Sequence, residues 1–314
     1  MRRAGKRDIA QEITDLIIAK IELGVLPWRR PWRTFGAGGR PLRAGGQAYT
    51  GINSILLWAI ADGSGYQSRF WMTARQADEL GGRIVKGALP APSIYFNTLR
   101  KAGVPSLAGE DAGVRFIRFM RSYLVYNCDD IEGLPSRFYP DTLALKAPDP
   151  SAHQEAIDAF FSAIPIETRH GGSRAYYSPG GDYVQMPLKA AFISSDHHAA
   201  TLAHEYAHAT GAAHRLGREF GRRFGDKAYA FEEVVADMTS GMICCELGLP
   251  CELHDSHASY IDHWIGILKA DKSAIITAAA KAEQAFKWLA AWSAPGRTSI
   301  SEERHENAHA ASLH

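Results

Sequence analysis

The chain has 314 residues, 46% of them hydrophobic and 22% charged, which is the composition of an ordinary soluble protein long enough for two domains. The formal net charge of +1 hides an asymmetry, because residues 1–100 carry 15 Lys and Arg against 7 Asp and Glu, and the rest carry 20 against 27. One half is basic and the other acidic, which predicts different partners for the two halves.

Neither a membrane span nor a disulfide framework is predicted. No stretch approaches about 18 uninterrupted apolar residues, and no apolar signal region follows the charged N-terminus. The four cysteines form no C-x-x-C pair, and the adjacent Cys244 and Cys245 lie in an apolar helical run. We interpret them as buried thiols of a reducing compartment, so the predicted location is the cytoplasm.

The N-terminal half is predicted to be α+β. Apolar residues recur at helical spacing from Asp8 to Leu23, and Thr73 is a candidate N-cap further along. The stretch VLPWRRPWRTFGAGGRPLRAGGQAY is rich in Gly, Pro, Arg and aromatic residues and is predicted to be mainly loop. Helices are predicted over 8–23, 51–61 and 73–80, and strands over 83–86 and 114–127.

A domain boundary is predicted in the proline-containing stretch 141–152. This gives domains 1–145 and 146–295, followed by a polar, His-rich tail over 296–314 that we expect to be flexible. In the second domain, helices are predicted over 153–164, 195–212, 231–247, 259–268 and 273–292, and strands over 175–178 and 182–186. The intervening Pro-Gly-Gly indicates that the two strands form a hairpin.

The string His204-Glu205-Tyr-Ala-His208 has the spacing of a metal-hydrolase site. Residues four apart lie on one face of a helix, so both imidazoles can bind one ion. Glu205 is adjacent and can act as the general base for a water molecule at that ion. The motif predicts a metal centre of the zinc metallopeptidase type.

Two candidates compete for the third ligand. The chain continues to Gly211 and His214, which completes the metzincin pattern H-E-x-x-H-x-x-G-x-x-H. That pattern needs a helix break at Gly211 and a methionine turn, whereas the methionines downstream fall inside a predicted helix. We therefore favour Glu233, with Asp237 one turn further on holding a ligand histidine by its other nitrogen. The neighbouring Glu232 is predicted to be solvated.

Aromatic and basic residues interleave in the first half of the chain. Single-stranded nucleic acid is held by cations along its backbone and by bases stacked on aromatic rings, so these residue types suit that ligand. The alternative is that the tryptophans belong to the core. The candidate DNA-binding residues are Trp28, Arg29, Arg30, Trp32, Arg33, Tyr49, Arg69 and Trp71.

Several strings together resemble plasmid and phage antirestriction proteins of the ArdC type. They are LPWRRPW, AYTGINSILL, RFWMTARQADELGGRIVKGA, RSYLVYNCDDIEGLP, YYSPGGDYVQMP, TLAHEYAHATGAAHRLGREFG and AYAFEEVVADMTSGMICCELGL. The resemblance covers about residues 8–290. It implies a single-stranded-DNA-binding domain followed by a zincin-like domain. The metal ligands implied are His204, His208 and a glutamate of EEVVAD, with Glu205 catalytic. The chain departs from the usual family pattern at Ala212 and His214.

The expected function is antirestriction, with single-stranded DNA as partner, a possible peptide substrate and Zn²⁺, Mn²⁺ or another divalent ion as cofactor. The strand at 182–186 could align an extended substrate by strand addition. A donor that stabilises the transition state is expected among Tyr177, Arg215 and Tyr260. The alternatives are a DNA-binding protein with a purely structural metal, and a plain metallopeptidase that binds no DNA.

Overall fold

The computed structural model describes residues 8–23, 26–28, 39–101, 115–139, 149–219, 227–249 and 261–293. For residues 97–101, 115–119, 227 and 261–263 it describes the backbone only. The predicted tail and most of the predicted domain boundary lie outside these ranges. The α+β class is confirmed, because helices and sheets both occur in each half of the chain.

Eight helices and nine strands are formed by the described residues. The helices are α1 Ile9–Glu22, α2 Ile52–Ser64, α3 Ala74–Glu79, α4 Pro150–Ser162, α5 Ser195–Ala209, α6 Lys227–Leu247, α7 Ile261–Ala270 and α8 Ala274–Ser293. The strands are β1 Leu42–Arg43, β2 Phe70–Met72, β3 Arg83–Ile84, β4 Ala91–Lys101, β5 Arg115–Asn127, β6 Ile131–Glu132, β7 Glu167–His170, β8 Tyr176–Ser178 and β9 Tyr183–Met186.

Side-chain caps fix the beginnings of α1 and α3. The Asp8 carboxylate accepts a hydrogen bond from the Gln11 N–H at 3.1 Å and begins α1. Thr73 and Gln76 form a reciprocal capping box at α3, as the sequence predicts for Thr73. Each cap satisfies backbone donors that have no partner within the helix.

The N-terminal sheet has the order β1-β2-β5-β4, with β1 parallel to β2 and the other pairs antiparallel. Strand β4, which the sequence analysis did not predict, pairs with β5 along its whole length. Its outer edge is blocked by Asn53, whose amide donates to the Ile94 carbonyl and accepts from the Ile94 N–H, both at 2.8 Å. Such a cover protects an edge strand from pairing with another chain.

The C-terminal sheet has the order β7-β9-β8, with β9 parallel to β7 and antiparallel to β8. The predicted hairpin is therefore present. Strand addition at β9 was predicted, and this prediction is wrong because β9 is central and already paired on both sides. Among the strands that the structure describes, β7 and β8 are the edges of this sheet.

One buried cluster contains side chains from both halves of the chain. Ile13 and Ile17 of α1 and Trp28 share it with Met238 of α6 and Trp264 of α7. The Trp28 and Trp264 rings lie 5.8 Å apart between centroids. The two halves therefore depend on a common core.

A glycine is required where Trp28 crosses α6. A Cβ atom at Gly241 would lie 2.2 Å from the Trp28 carbonyl oxygen, well inside van der Waals contact. The side chains of Cys128, Cys244 and Cys245 are buried, as predicted for the α6 pair. Within the described ranges, no helix is both long and apolar enough to cross a membrane.

A buried ion pair joins the halves a second time. Glu283 of α8 pairs with Arg40 and accepts a hydrogen bond from the Gly51 N–H at 3.0 Å. Arg40 also donates to the Tyr49 carbonyl at 2.9 Å. Both charged side chains are almost inaccessible to solvent, so neither can be hydrated if its partner is removed.

We expect Glu283→Gln to lower the free energy of unfolding by about 3–5 kcal/mol, because it leaves Arg40 buried without its counter-charge. Glu79→Gln is the matched control, since Glu79 pairs with Arg75 on the exposed surface of α3 and should cost under about 1 kcal/mol. Urea unfolding followed by circular dichroism measures both. Equal midpoints for the two variants would contradict the role of the buried pair.

Candidate metal centre

Helix α5 carries the two motif histidines. Ser194 caps its N-terminus by accepting a hydrogen bond from the His197 N–H at 3.3 Å. An α-helix has about 3.6 residues per turn, so His204 and His208 project from the same side. The helix ends at Ala209, three residues before its predicted end.

The two imidazoles converge on one point. Their ring centroids lie 4.7 Å apart with an interplanar angle of 84°, and the Nε2 atoms of His204 and His208 are 3.1 Å apart. His204 is buried and His208 is half-buried. Two imidazole nitrogens that face each other this closely are arranged as ligands for a single ion.

Helix α6 adds a carboxylate to this point. The Glu233 Oε2 atom lies 3.5 Å from His204 Nε2, and its Oε1 atom lies 3.6 Å from His208 Nε2. Around a tetrahedral ion with bonds of about 2.0–2.2 Å, neighbouring ligand atoms are separated by about 3.3–3.6 Å. The two distances to Glu233 match this range, and the three ligand groups lie within 4.8 Å of one another, so His204, His208 and Glu233 are placed to hold a divalent cation.

Carboxylates also face the other nitrogen of each histidine. Asp237 Oδ1 lies 3.5 Å from His204 Nδ1, and Glu232 Oε1 lies 3.4 Å from His208 Nδ1. A carboxylate at Nδ1 fixes the tautomer and the ring orientation and leaves Nε2 available for a metal. Asp237 thus lies where the sequence analysis placed it.

Glu232 was predicted to be solvated, and this prediction is wrong. The residue is 3% exposed and accepts three hydrogen bonds from the Arg218 guanidinium, at 2.7, 2.9 and 3.3 Å. Helix α6 begins at Lys227, four residues before its predicted start, so Glu232 lies inside the helix and faces α5. Arg218 also donates to the Ala207 carbonyl at 2.7 Å, which fixes it to α5. The apolar Val-Val-Ala run that follows was the available signal of burial.

Charge pairing within this cluster outweighs burial. Burial by itself lowers the pKa of His204, but the Asp237 and Glu233 carboxylates outweigh this effect and raise the pKa to about 10. Burial raises the pKa of Glu233, but the two histidines lower it to about 2. The carboxylates therefore stay ionised, and their negative charge favours a positive charge at the point where the cation would bind.

The alternative ligand His214 lies elsewhere. Helix α5 does end before Gly211, as the metzincin pattern requires, yet the His214 side chain is 61% exposed and its Nε2 lies 3.2 Å from Asp182 Oδ2. Met238 lies inside α6 and forms no turn. The structure thus brings Glu233, and not His214, to the motif histidines.

Asp182 lies at the turn between β8 and β9, where three side chains contact its carboxylate. Arg215 donates to its two oxygens at 2.6 and 3.0 Å, and the Tyr177 hydroxyl donates at 2.9 Å. Asp182 has a φ of 50°, a left-handed conformation that aspartate tolerates better than most residues. Tyr177 and Arg215, predicted as possible transition-state donors, are thus engaged with this turn. Tyr260 lies outside the described residues.

Glu205 is buried on α5 between the two histidines. Its negative charge helps to raise the pKa of both His204 and His208.

Three aromatic residues predicted to stack on bases are instead in the core. Trp28 is 1% exposed and its indole N–H donates to Asp237 Oδ2 at 3.3 Å, so it supports the metal centre. Tyr49 and Trp71 are buried in a second cluster beside α2. None of the three has a ring face open to a base, and the prediction is corrected for these residues.

The other predicted DNA-binding residues divide between the described and undescribed parts. Arg69 is half-buried and donates to the Arg40 carbonyl at 3.1 Å. Burial lowers the pKa of its guanidinium from the ordinary value. Four residues lie outside the described ranges: Arg29, Arg30, Trp32 and Arg33.

Comparison with known families agrees with this architecture. Residues 7–126 match the N-terminal domain of the anti-restriction factor ArdC, and residues 155–281 match the zincin-like metallopeptidase family. The matched ranges lie on either side of the predicted boundary. Fold and site therefore define a two-domain protein in which a zincin-like metallopeptidase domain follows an ArdC-type N-terminal domain.

Relatives extend over almost the whole chain. The y4eC protein of Sinorhizobium fredii is 37% identical, covering 90% of this chain and 91% of its own. The crystal structure of the antirestriction protein ArdC from plasmid R388 superimposes with a TM-score of 0.76 at 40% identity, over 91% of this chain and 98% of that one. This chain belongs to the ArdC family of antirestriction proteins.

Two further proteins are similar to this chain, one solved with a bound metal ion and one named as a DNA primase. The Mn(II)-bound structure of the R388 ArdC protein gives a TM-score of 0.75 at 39% identity, over 93% of this chain and all of that one. The DNA primase TraC of Escherichia coli is 32% identical over 89% of this chain. This chain spans only 27% of that primase.

We expect His204→Ala to abolish stoichiometric divalent-cation binding, because it removes one of three converging ligand atoms. His214→Ala should bind the cation with unchanged affinity, since its side chain points to Asp182. Titration calorimetry with Mn²⁺ and Zn²⁺ on both variants measures the effect. Loss of binding in His214→Ala with retention in His204→Ala would contradict the ligand set.

Proposed function

We propose that this protein binds single-stranded DNA through its N-terminal domain and protects incoming DNA from restriction, and that its C-terminal domain is a metal-dependent peptidase. The observation that carries the proposal is the 40% identity with an antirestriction protein across 98% of that protein's chain. The excess of basic residues in the first 100 positions supports a polyanionic partner for this half. Its relation to part of a DNA primase is consistent with a DNA partner.

In this proposal His204, His208 and Glu233 hold one divalent cation. Two imidazoles and a carboxylate suit zinc, and the Mn(II)-bound relative supports manganese as a second candidate. The cation would supply a Lewis acid at the carbonyl of a peptide substrate. Asp237 and Glu232 hold the two imidazoles in the orientation that keeps Nε2 turned inward.

Glu205 moves the protons of the reaction. It takes a proton from the attacking water and later delivers it to the amide nitrogen of the leaving group, as a general base and then a general acid. Its burial removes competing solvent from the carboxylate. A peptide in extended conformation would bind along a free sheet edge, β7 or β8.

The proposed location is the cytoplasm. Cys128 carries a free, buried thiol, a state that a reducing compartment maintains. The proposed partner, single-stranded DNA, would also be present in that compartment while DNA enters the cell.

The full-length protein should bind a labelled single-stranded oligonucleotide more tightly than its duplex, because no recognition helix or zinc finger for duplex DNA is present in the sequence. Affinity should fall with salt at a slope of about −0.7 in log–log form for each phosphate contact. Fluorescence anisotropy at two or more salt concentrations measures both. If the protein binds neither the single strand nor the duplex, the DNA-binding part of the proposal is refuted and a metallopeptidase remains.

Glu205→Gln should lower peptide hydrolysis at least about hundredfold, because glutamine keeps the shape and cannot accept the proton. Cation binding and oligonucleotide affinity should be unchanged, since neither uses this carboxylate. Cleavage of a labelled peptide library and a restriction-protection assay are run on the same variant. If the wild type cleaves no peptide and the variant protects DNA fully, protection comes from DNA binding and the peptidase part is wrong.

A further inference from the structure

Exposed aromatic rings of the N-terminal domain lie on the sheet formed by β1, β2, β5 and β4. Tyr95 is 40% exposed and Phe96 is 60% exposed, although they are neighbours on β4. Adjacent residues of a strand point to opposite faces, so these two rings belong to different surfaces. The two faces of one hairpin can therefore be compared directly.

The face that carries Tyr95 combines rings with guanidinium groups. Tyr95 lies opposite Arg121 in the β4–β5 register, and the Tyr95 and Tyr123 rings are 6.0 Å apart between centroids. Arg43 of β1 donates to the Tyr123 hydroxyl at 3.2 Å. We call these four residues, Arg43, Tyr95, Arg121 and Tyr123, the Tyr95 face.

A buried cluster on the same face of the sheet supports this surface. Tyr123 packs against the buried cluster that contains Tyr49, Trp71 and Val125. The Arg43 guanidinium lies over the Tyr49 ring at 4.5 Å from its centroid. The aromatic residues that sequence analysis assigned to base stacking thus hold the exposed ones in place.

Charge selects the occupant of this face. Arg43 and Arg121 lie on this face, and the residues of β1, β2, β4 and β5 whose side chains the structure describes include no Asp or Glu. Such a surface complements phosphates, and aromatic rings on a sheet provide stacking platforms for unpaired bases. A duplex conceals the faces of its bases, so only a single strand can use both features.

We propose that the Tyr95 face is a binding surface for single-stranded nucleic acid, in which Tyr95 and Tyr123 stack on bases and Arg43 and Arg121 contact the backbone. This inference rests on the proposed DNA-binding function and specifies where on the N-terminal domain it occurs. The opposite face, with Phe96 and the 44%-exposed Leu124, takes no part.

The test compares neighbouring residues of β4 in the full-length protein, with a labelled oligothymidylate as the probe. Tyr95→Ala should weaken binding about 5- to 100-fold, as expected for loss of one stacked base. Phe96→Ala should change affinity by no more than about twofold, although it removes a more exposed ring. Tyr95→Phe keeps the ring and should bind like the wild type.

Arg121→Ala provides a second readout, because loss of one phosphate contact should reduce the salt slope by about 0.7. Unchanged cation binding and thermal midpoint in each variant establish that it is folded. If the wild type binds and Tyr95→Ala binds equally well, or if only Phe96→Ala is weakened, the Tyr95 face is refuted and the proposed function stands. If the wild type itself does not bind, both are refuted.

Discussion

The burial of four acidic side chains between α5 and α6 is the constraint on which the C-terminal domain depends. Glu205, Glu232, Glu233 and Asp237 are each no more than 8% exposed. An ionised carboxylate inside a protein is costly unless it is paired. Arg218 compensates one of these charges, and the two histidines compensate more only by taking up protons. A divalent cation at their Nε2 atoms would offset two more of these negative charges with both rings neutral.

The two carboxylates that orient the histidines are held by residues from different parts of the chain. Glu232 is fixed by Arg218, which follows α5 closely, whereas Asp237 is contacted by the indole of Trp28 from the N-terminal half. The close crossing at Gly241 and the ion pair of Arg40 with Glu283 hold that half against the same helices. The metal centre is therefore supported by a contact from the N-terminal half, and one large buried cluster is shared by the two family domains.

Local patterns predict the part of the site that a single helix determines. The spacing of His204 and His208, and that of Glu233 and Asp237, follows from helix geometry and could be predicted from the sequence. The role of Glu232 could not, because it depends on where α6 begins. Strand β4 was missed because Pro92 lies within it, and β7 because its residues Glu-Thr-Arg-His show no apolar alternation.

Composition alone does not show whether an aromatic residue of the basic half is buried or forms a ligand-binding surface. A tryptophan beside arginines is equally suited to a core and to a ligand surface, and contacts distant in sequence decide between them. Trp28 is buried by residues more than 200 positions away, whereas the Tyr95 ring has its partner in the adjacent strand β5. The buried rings stiffen the sheet, so exposed rings on it lose little freedom when a base stacks on them. In the proposed Tyr95 face, the buried aromatic residues would hold the surface still and the exposed ones would form the contact.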